Sequence, residues 1–431
     1  MHLVFAKHFA DAIFLELKSL SEEFPNFTFG YSFYRSGPWR GILHLKRLVS
    51  SYRRNLIWRD RGKTSDYYSR RLKKFFPWWM KPLILFPFLN INLLIKSELC
   101  GRFLDYLERR APPDPKIIAH IKSFSPDFVS ISVPPDLIGT TPDYDYLSAS
   151  KALGIPNSLF ILGWDNLEVK GGVPLVPDLM FLWNKIQQST AVAKHNIPIE
   201  NTKIIGAPFF DNFLQEGLRP AMTREEFCAY YGLSPDRPIV LYMGSSSIYR
   251  DETGILRLFK KTLENSGDPE LRGVQFLVRP HPAHIYFLKL FRGERDFAFE
   301  PKSDTSGFEA SRRLYYDSIY YSSAVAGICT SGFIHAFIMG KPVISFLSLR
   351  YDQIQAQAPH WRQLKDGEVL EIVRTGDEFA DTLGNILRGV DPGAEKRRDF
   401  IKKYVRPRGM EKPAGEIFAD EVEKLFLTKQ T

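Results

Sequence analysis

The chain has 431 residues, 44% of them hydrophobic, and a formal net charge of +9. That length exceeds what one hydrophobic core usually holds and suggests two globular domains. Three widely separated cysteines, Cys100, Cys228 and Cys329, form no CxxC pair, which argues against a disulfide framework or a cysteine-built zinc site and suits a reducing, cytoplasmic setting.

The opening segment, "MHLVFAKHFADAIFLELKSL", carries acidic residues soon after its apolar stretch and has no small-residue cleavage site, so it reads as fold and not as a signal peptide. Between Arg35 and Lys81 stand 14 of the 58 basic residues against only Asp60 and Asp66, a local charge of +12. The other 44 basic and 47 acidic residues leave the rest of the chain slightly acidic, so the basicity is confined to this stretch. It runs into "KKFFPWWMKPLILFPFLNINLLIK", where Pro77, Pro82 and Pro87 argue against one continuous helix. The uncharged run from 82 to 95 is shorter than the roughly 20 residues of a membrane-spanning helix. Basic residues beside Phe75, Phe76, Trp78 and Trp79 suit either a surface for anionic lipid head groups or a solvated helical face beside an ordinary core segment. The same charges could neutralise nucleic-acid phosphates, but no DNA- or RNA-binding motif accompanies them.

Further along, β-rich and helical runs alternate. Strands are predicted at 128–133, 158–162, 179–183 and 203–205, and, after a less regular passage from Phe213 to Arg224, at 238–244, 274–278, 325–330 and 342–346. Helices fill gaps at 252–265, 333–339 and 379–387. Such alternation, met twice, implies two doubly wound, Rossmann-like α/β domains facing a cleft. The expected division is 1–213, with a basic and aromatic insertion at about 35–96, then 214–410, with 411–431 returning as a helix to the first domain.

In open parallel sheets the ligand sits beyond the carboxyl ends of the strands. After the strand at 238–244 comes "GSSSIYRDE", whose Gly244, Ser245 and Ser246 offer backbone N–H groups and hydroxyls to an anion. After the next strand come Arg279 and His281, the histidine fenced by Pro280 and Pro282, which fix two φ angles and remove two backbone donors. Thr330, Ser331 and Gly332 precede a helix predicted to aim at the same crevice. Each also reads as an ordinary cap or turn.

"RPHP", followed some fifty residues later by a Ser-Gly helix start and "GKPVISF", resembles the nucleotide-binding half of GT-B glycosyltransferases. The likeness is particularly to relatives with an "HP" motif, among them transferases of cytidine-activated sugars and CDP-glycerol glycerophosphotransferases. "LGIPNSLFILGWDNLEVKGG", "PDLMFLWNKIQQSTAVAKHNIP" and "IIGAPFFDNF" resemble a bacterial set of GT-B-like proteins, over roughly 126–346 in all. The resemblance implies that Arg279 and His281 meet the nucleotide phosphates of the donor, that no separate cofactor is needed, and that no metal is bound. Many sugar-nucleotide GT-B enzymes carry a glutamate, for the ribose hydroxyls, where this chain has His335; a neutral imidazole could bond a ribose, and a protonated one a phosphate. That departure puts a uridine-linked donor in doubt, and the resemblance to the histidine-bearing "HP" relatives implies a cytidine-linked one.

The first domain would then hold the acceptor and a base for its hydroxyl proton. Asp165 in "GWDNLEVKGG" is the leading base and Asp136 in "PPDLIGTT" the runner-up, with Trp164, Asn166 and Lys170 on the acceptor side and Gly171 and Gly172 suggesting a flexible loop. Asp165 could equally satisfy turn N–H groups, and Asp211 reads as the cap of the next helix. The resulting expectation is a cytoplasmic glycosyltransferase, peripheral on the inner face of the membrane, moving a sugar from a nucleotide donor to a cell-surface glycan or lipid-linked acceptor. A glycerophosphotransferase, a sugar-nucleotide 2-epimerase and a non-catalytic glycan-binding relative are the alternatives.

Overall fold

The computed structural model describes residues 1–5, 13–62, 66–85, 91–132, 141–214, 218–245, 252–281, 297–299, 307–347 and 358–427; Asp136, Ser246 and Pro282 lie outside them. The chain forms two compact units, one of Met1–Ala207 with Ala414–Thr431 and the other of Pro208–Pro413. The passage 208–213 thus belongs with the second unit. Its Asp211, expected as a helix cap, instead pairs with Arg406 Nη2 at 2.9 Å, because that guanidinium is buried and needs an anion.

In the first unit, β1 (His2–Phe5) and β2 (Thr28–Tyr31) form a small parallel pair. A helical layer follows. Its long helix α1 (Pro38–Asp60) starts with Pro at N1 after Gly37, and α2 (Glu98–Arg110) is capped by Ser97, whose hydroxyl accepts from Cys100 N at 3.2 Å. Leu48, Tyr52, Leu56, Leu72, Phe76, Ile84 and Ile95 make the core of this layer. Among the described residues between Pro77 and Lys96 the helices are short, Lys81–Leu85 and Ile91–Lys96, in keeping with the prolines.

Three cations of the basic stretch, Arg35, Lys46 and Arg47, are buried in this layer, while Arg40, Arg61, Arg70 and Lys74 are exposed. Lys46 Nζ lies 2.9 Å from Glu108 Oε2 of α2, and Arg47 Nη2 reaches Glu108 Oε1 at 2.8 Å. Asp145, on α3 (Asp143–Ala152), takes Arg35 Nε at 2.9 Å and Arg47 Nη2 at 3.3 Å. Burial works against the charges of Glu108 and Arg47, yet the pairing prevails: Glu108 is held below, and Arg47 above, its usual range. The buried face of α1 carries these cations among its apolar residues, so ion pairs are the condition for its docking.

The main sheet of this unit is four parallel strands in chain order: β3 (Val129–Ile131), β4 (Asn157–Phe160), β5 (Leu179–Leu182) and β6 (Thr202–Ile204). The period of two sorts the side chains. Leu159, Met180 and Leu182 pack against α3 and α4 (Lys185–His195) in one core, while Phe160, Leu179 and Phe181 face the other way. That second face is covered by the terminal helix Ala414–Leu427 through Ile417 and Phe418, whose ring meets Phe181 at 4.8 Å. β4 and β5 end earlier than the sequence suggests: Trp183 Nε1 takes the carbonyl of Ile161 at 2.7 Å, replacing the ladder there.

The second unit holds a six-stranded parallel sheet of β7 (Ile239–Met243), β8 (Gln275–Arg279), β9 (Phe297–Phe299), β10 (Ala324–Gly327), β11 (Val343–Phe346) and β12 (Glu371–Val373). Its order is β12-β11-β10-β7-β8-β9. Numbered within the unit, that is the 3-2-1-4-5-6 order of doubly wound dinucleotide-binding sheets, with its reversal between β7 and β10. α5 (Thr253–Glu264) and the helix Gly376–Leu387 cover one face, stacking Phe259 on Phe379. α6 (Gly307–Tyr321) packs on β7 and α7 (Gly332–Ile338) on β11.

Removing the ring that seals the second face of the four-stranded sheet tests this account. Phe418→Ala should lower the unfolding free energy of the first unit by about 2–3 kcal/mol, below the full-burial value because the ring is only partly covered. Urea denaturation followed by tryptophan fluorescence checks it.

Candidate functional site

The carboxyl ends of β7, β8 and β10 bring the expected donor-side residues of the second unit together. Gly244 N donates to Arg279 O at 2.8 Å, so the β7 and β8 exits run side by side. A Cβ on Gly244 would stand 2.9 Å from His281 N and 3.2 Å from Pro280 Cα, so only glycine permits this approach. Ser245 is fully buried; its N–H donates to Glu252 Oε1 at 2.8 Å, and its Oγ accepts from Cys329 N at 3.2 Å, tying the β7 exit to the β10 exit. A Cβ on Gly332 would meet Met243 Sδ at 2.5 Å, a third close approach at the same reversal. Thr330 Oγ1 accepts from Gly332 N at 3.3 Å, while Ser331 is exposed and makes no side-chain cap. Arg279 and His281 are partly exposed at this edge, the guanidinium lying 4.1 Å from the Tyr315 ring centroid.

His335 has another setting than expected for a phosphate contact. It is 6% exposed, surrounded by Phe209, Phe210, Phe213 and Tyr315, with Nδ1 3.3 Å from the Tyr315 hydroxyl. Burial, with the positive charge of Arg279 adding to it, pushes its pKa down to about 3. At neutral pH the imidazole is uncharged, which removes the protonated form weighed for it from the sequence.

Two residues here escaped sequence reasoning. Glu252 is 1% exposed and accepts from both Ser245 N and the Tyr242 hydroxyl, the latter at 2.6 Å, so one carboxylate organises the β7 exit. Its signal was an acid just before the helix that follows the serines. Tyr315 links Arg279 to His335 from α6, and nothing local in the sequence marks it.

In the first unit the loop after β4 is held from several sides. Asn166 Oδ1 accepts from Gly163 N at 2.6 Å, its Nδ2 donates to Asp165 Oδ1 at 3.3 Å, and Gln187 Nε2 takes the Gly163 carbonyl at 3.2 Å. Arg54 Nη2 donates to Lys170 O at 2.7 Å, and Gly172 N to Ser51 Oγ at 3.4 Å, so α1 fastens the segment expected to be a flexible glycine loop. Lys194 bonds Glu168 beneath it, with burial lowering the ammonium to about 8 against the pull of that carboxylate. Trp164 and Asn166 are buried and shape the turn, whereas Asp165 and Lys170 are partly exposed. Among the described residues no group of histidine, cysteine, aspartate and glutamate has the arrangement to hold a metal ion.

No protein-family model and no curated protein matches this chain. Solved structures do. A UDP-GlcNAc 2-epimerase from Neisseria meningitidis, bound to UDP-GlcNAc, aligns over 98% of this chain and 100% of its own at 11% identity and a TM-score of 0.50. An Arabidopsis thaliana UGT complexed with UDP aligns over 98% of this chain and 91% of its own at 12% identity and a TM-score of 0.50. At these identities the likeness shows the fold, two Rossmann-like α/β units of GT-B-like type.

Two outcomes follow. Gly244→Ala should force the β7 and β8 exits apart and lower the melting temperature, a cost of about 1–3 kcal/mol, while Ser331→Ala, at an exposed site without a cap bond, leaves it unchanged. His335 makes stability depend on pH: below about 6.5 the unfolded chain takes a proton that the folded chain, with its pKa of about 3, refuses. Stability is therefore full above pH 6.5 and falls by about 2 kcal/mol from this residue on going to pH 5. Denaturant titrations at several pH values should show that part of the slope vanish in His335→Gln.

Proposed function

We propose that this protein is a nucleotide-sugar-dependent glycosyltransferase that takes its donor at the β7–β10 reversal of the second unit. The observation that carries this is the meeting of three strand exits where the sheet order reverses, with Gly244 giving a backbone approach that a side chain would block and Gly332 leaving room for the Met243 side chain. Arg279 and His281 stand at the edge of those exits and are assigned the donor phosphates. As the bond from sugar to phosphate breaks, negative charge gathers on the leaving oxygen, and a cation on a loop stiffened by Pro280 stabilises it without reorganising. Ser245 is fully committed to Glu252 and Cys329, so it supports the site from beneath and makes no donor contact. Asp165, partly exposed beside the clamped turn, is assigned as the base for the acceptor hydroxyl, with Asp136 the alternative.

The acceptor side is read as meeting an anionic membrane surface. On α2, Leu99, Phe103 and Tyr106 are 77%, 58% and 50% exposed along one stripe, with Arg102, Arg109 and Arg110 exposed beside them. Trp78, 82% exposed, adds an aromatic ring suited to the interface. No helix among the described residues is long and apolar enough to cross a membrane, so contact would be at the surface.

A sugar-nucleotide 2-epimerase is the second reading, favoured by the full-length alignment with the Neisseria enzyme. A panel of UDP-, CDP- and CMP-linked sugars separates the two. A transferase releases the nucleotide from the sugar, slowly to water and faster with acceptor, whereas an epimerase returns an altered sugar still attached. His281→Ala should weaken nucleotide binding about tenfold or more by calorimetry with ligand-free melting unchanged; unaltered affinity would remove the donor-site assignment. Co-sedimentation with liposomes tests the membrane contact. Each exposed basic residue contributes about 1 kcal/mol at an anionic surface, so changing Arg102, Arg109 and Arg110 to glutamine should reduce recovery with anionic vesicles at low salt by more than tenfold. Equal recovery of both proteins would end that reading.

A further inference from the structure

A cavity of about 370 Å³ opens at the start of α1, within the first unit. Its wall includes Arg35, Arg40, His44, Arg47, Thr141 and Asp145. Three guanidinium groups face one carboxylate there, an excess of two positive charges before His44 is counted. Asp145 is itself engaged by Arg35 and Arg47, and Arg47 is also held by Glu108 at 2.8 Å. These carboxylates fix Arg35 and Arg47 in place and neutralise part of their charge, which leaves Arg40 as the wall cation that no ion pair among the described residues answers.

Two further features distinguish the site from a plain ion-pair cluster. Arg35 is 5% exposed, and although its Nε and Nη1 bond Asp145 and Pro112 O, its Nη2 has no acceptor; Thr141 Oγ1 also lacks a partner. Buried polar groups in folded proteins are nearly always satisfied, so this corner of the unit keeps unused hydrogen-bonding capacity just behind the cavity wall. In addition, α1 begins with neither a side-chain cap nor an acidic residue in its first turn, leaving the positive end of a 23-residue helix unanswered at Gly37, which lines the cavity.

We propose that this cavity binds a phosphate monoester, its dianionic group held by Arg35, Arg40 and the α1 start, with the remaining volume holding a small polar body of sugar size. Arginine forks match phosphate oxygens in pairs, and a dianion balances the excess charge. The proposal stands apart from the donor site, which lies in the other unit.

Isothermal titration calorimetry with inorganic phosphate, glucose 6-phosphate, short-chain phosphatidic acid and uncharged glucose tests it. Phosphate and at least one of the two esters should bind, and glucose should not; the tighter ester tells whether a soluble sugar or a lipid head group is the source. Arg40 is exposed and makes no buried ion pair, so Arg40→Gln should fold normally and bind the ester at least tenfold more weakly. His281→Ala should bind it as the unaltered protein does. Absence of phosphate binding at millimolar concentration, equal binding by Arg40→Gln, or loss in His281→Ala alone would overturn the proposal.

Discussion

Neighbouring parallel strands must be joined by crossovers of one hand, and the order in which strands are added decides which face each crossover helix covers. In the first unit the strands are laid down in chain order, so the helices gather on one face, against Leu159, Met180 and Leu182. The other face, with Phe160 and Phe181, would meet water unless a distant segment came to cover it, and the terminal helix does so. In the second unit the order reverses after β9, and the reversal leaves β7 and β10 side by side with their exits opening together. One rule thus accounts for both a helix borrowed from the far end of the chain and the position of the candidate donor site.

The close approaches at that reversal act together. Gly244 lets the backbone of His281 come alongside, Gly332 lets Met243 lie against the start of α7, and Ser245 joins two exits through a single hydroxyl. Glu252 closes the arrangement from below by taking an N–H and a phenol hydroxyl on one buried carboxylate. Among the described residues, Arg279 and His281 are partly exposed beside these exits. His335, neutral within four aromatic rings, belongs to the packing that holds α7 and α6 behind them.

Positive charge in the first unit is divided between two uses. Lys46, Arg47 and Arg54 dock α1 against α2, α3 and the loop after β4, where each finds a carboxylate or a carbonyl. Arg35 and Arg40, at the helix start, surround a cavity, and the cations of α2 remain in water. The same residue types therefore hold the layer together in its interior and offer anion-binding capacity at its edges, according to whether an acid on a neighbouring helix lies opposite.

The alternation of β-rich and helical runs determined the α/β class, the two larger parallel sheets and the positions of eight strands, because period and length are local properties of the chain, whereas β1, β2, β9 and β12 and most helices of the first unit were not placed. The exits carrying Gly244, Arg279 and Thr330 were legible for the same reason: each follows its own strand. Strand order was not, since nothing local states which strand lies beside which, and so neither the β7–β10 reversal nor the cover over Phe181 could be read from sequence. Charge was legible as a sum and not as a distribution. The count of +12 between Arg35 and Lys81 holds, but only the fold decides that Glu108 and Asp145, far along the chain, lie within 3.3 Å of its cations. Burial likewise sets the protonation of His335, because the pKa of an imidazole depends on the rings and guanidinium packed around it and not on its neighbours in sequence.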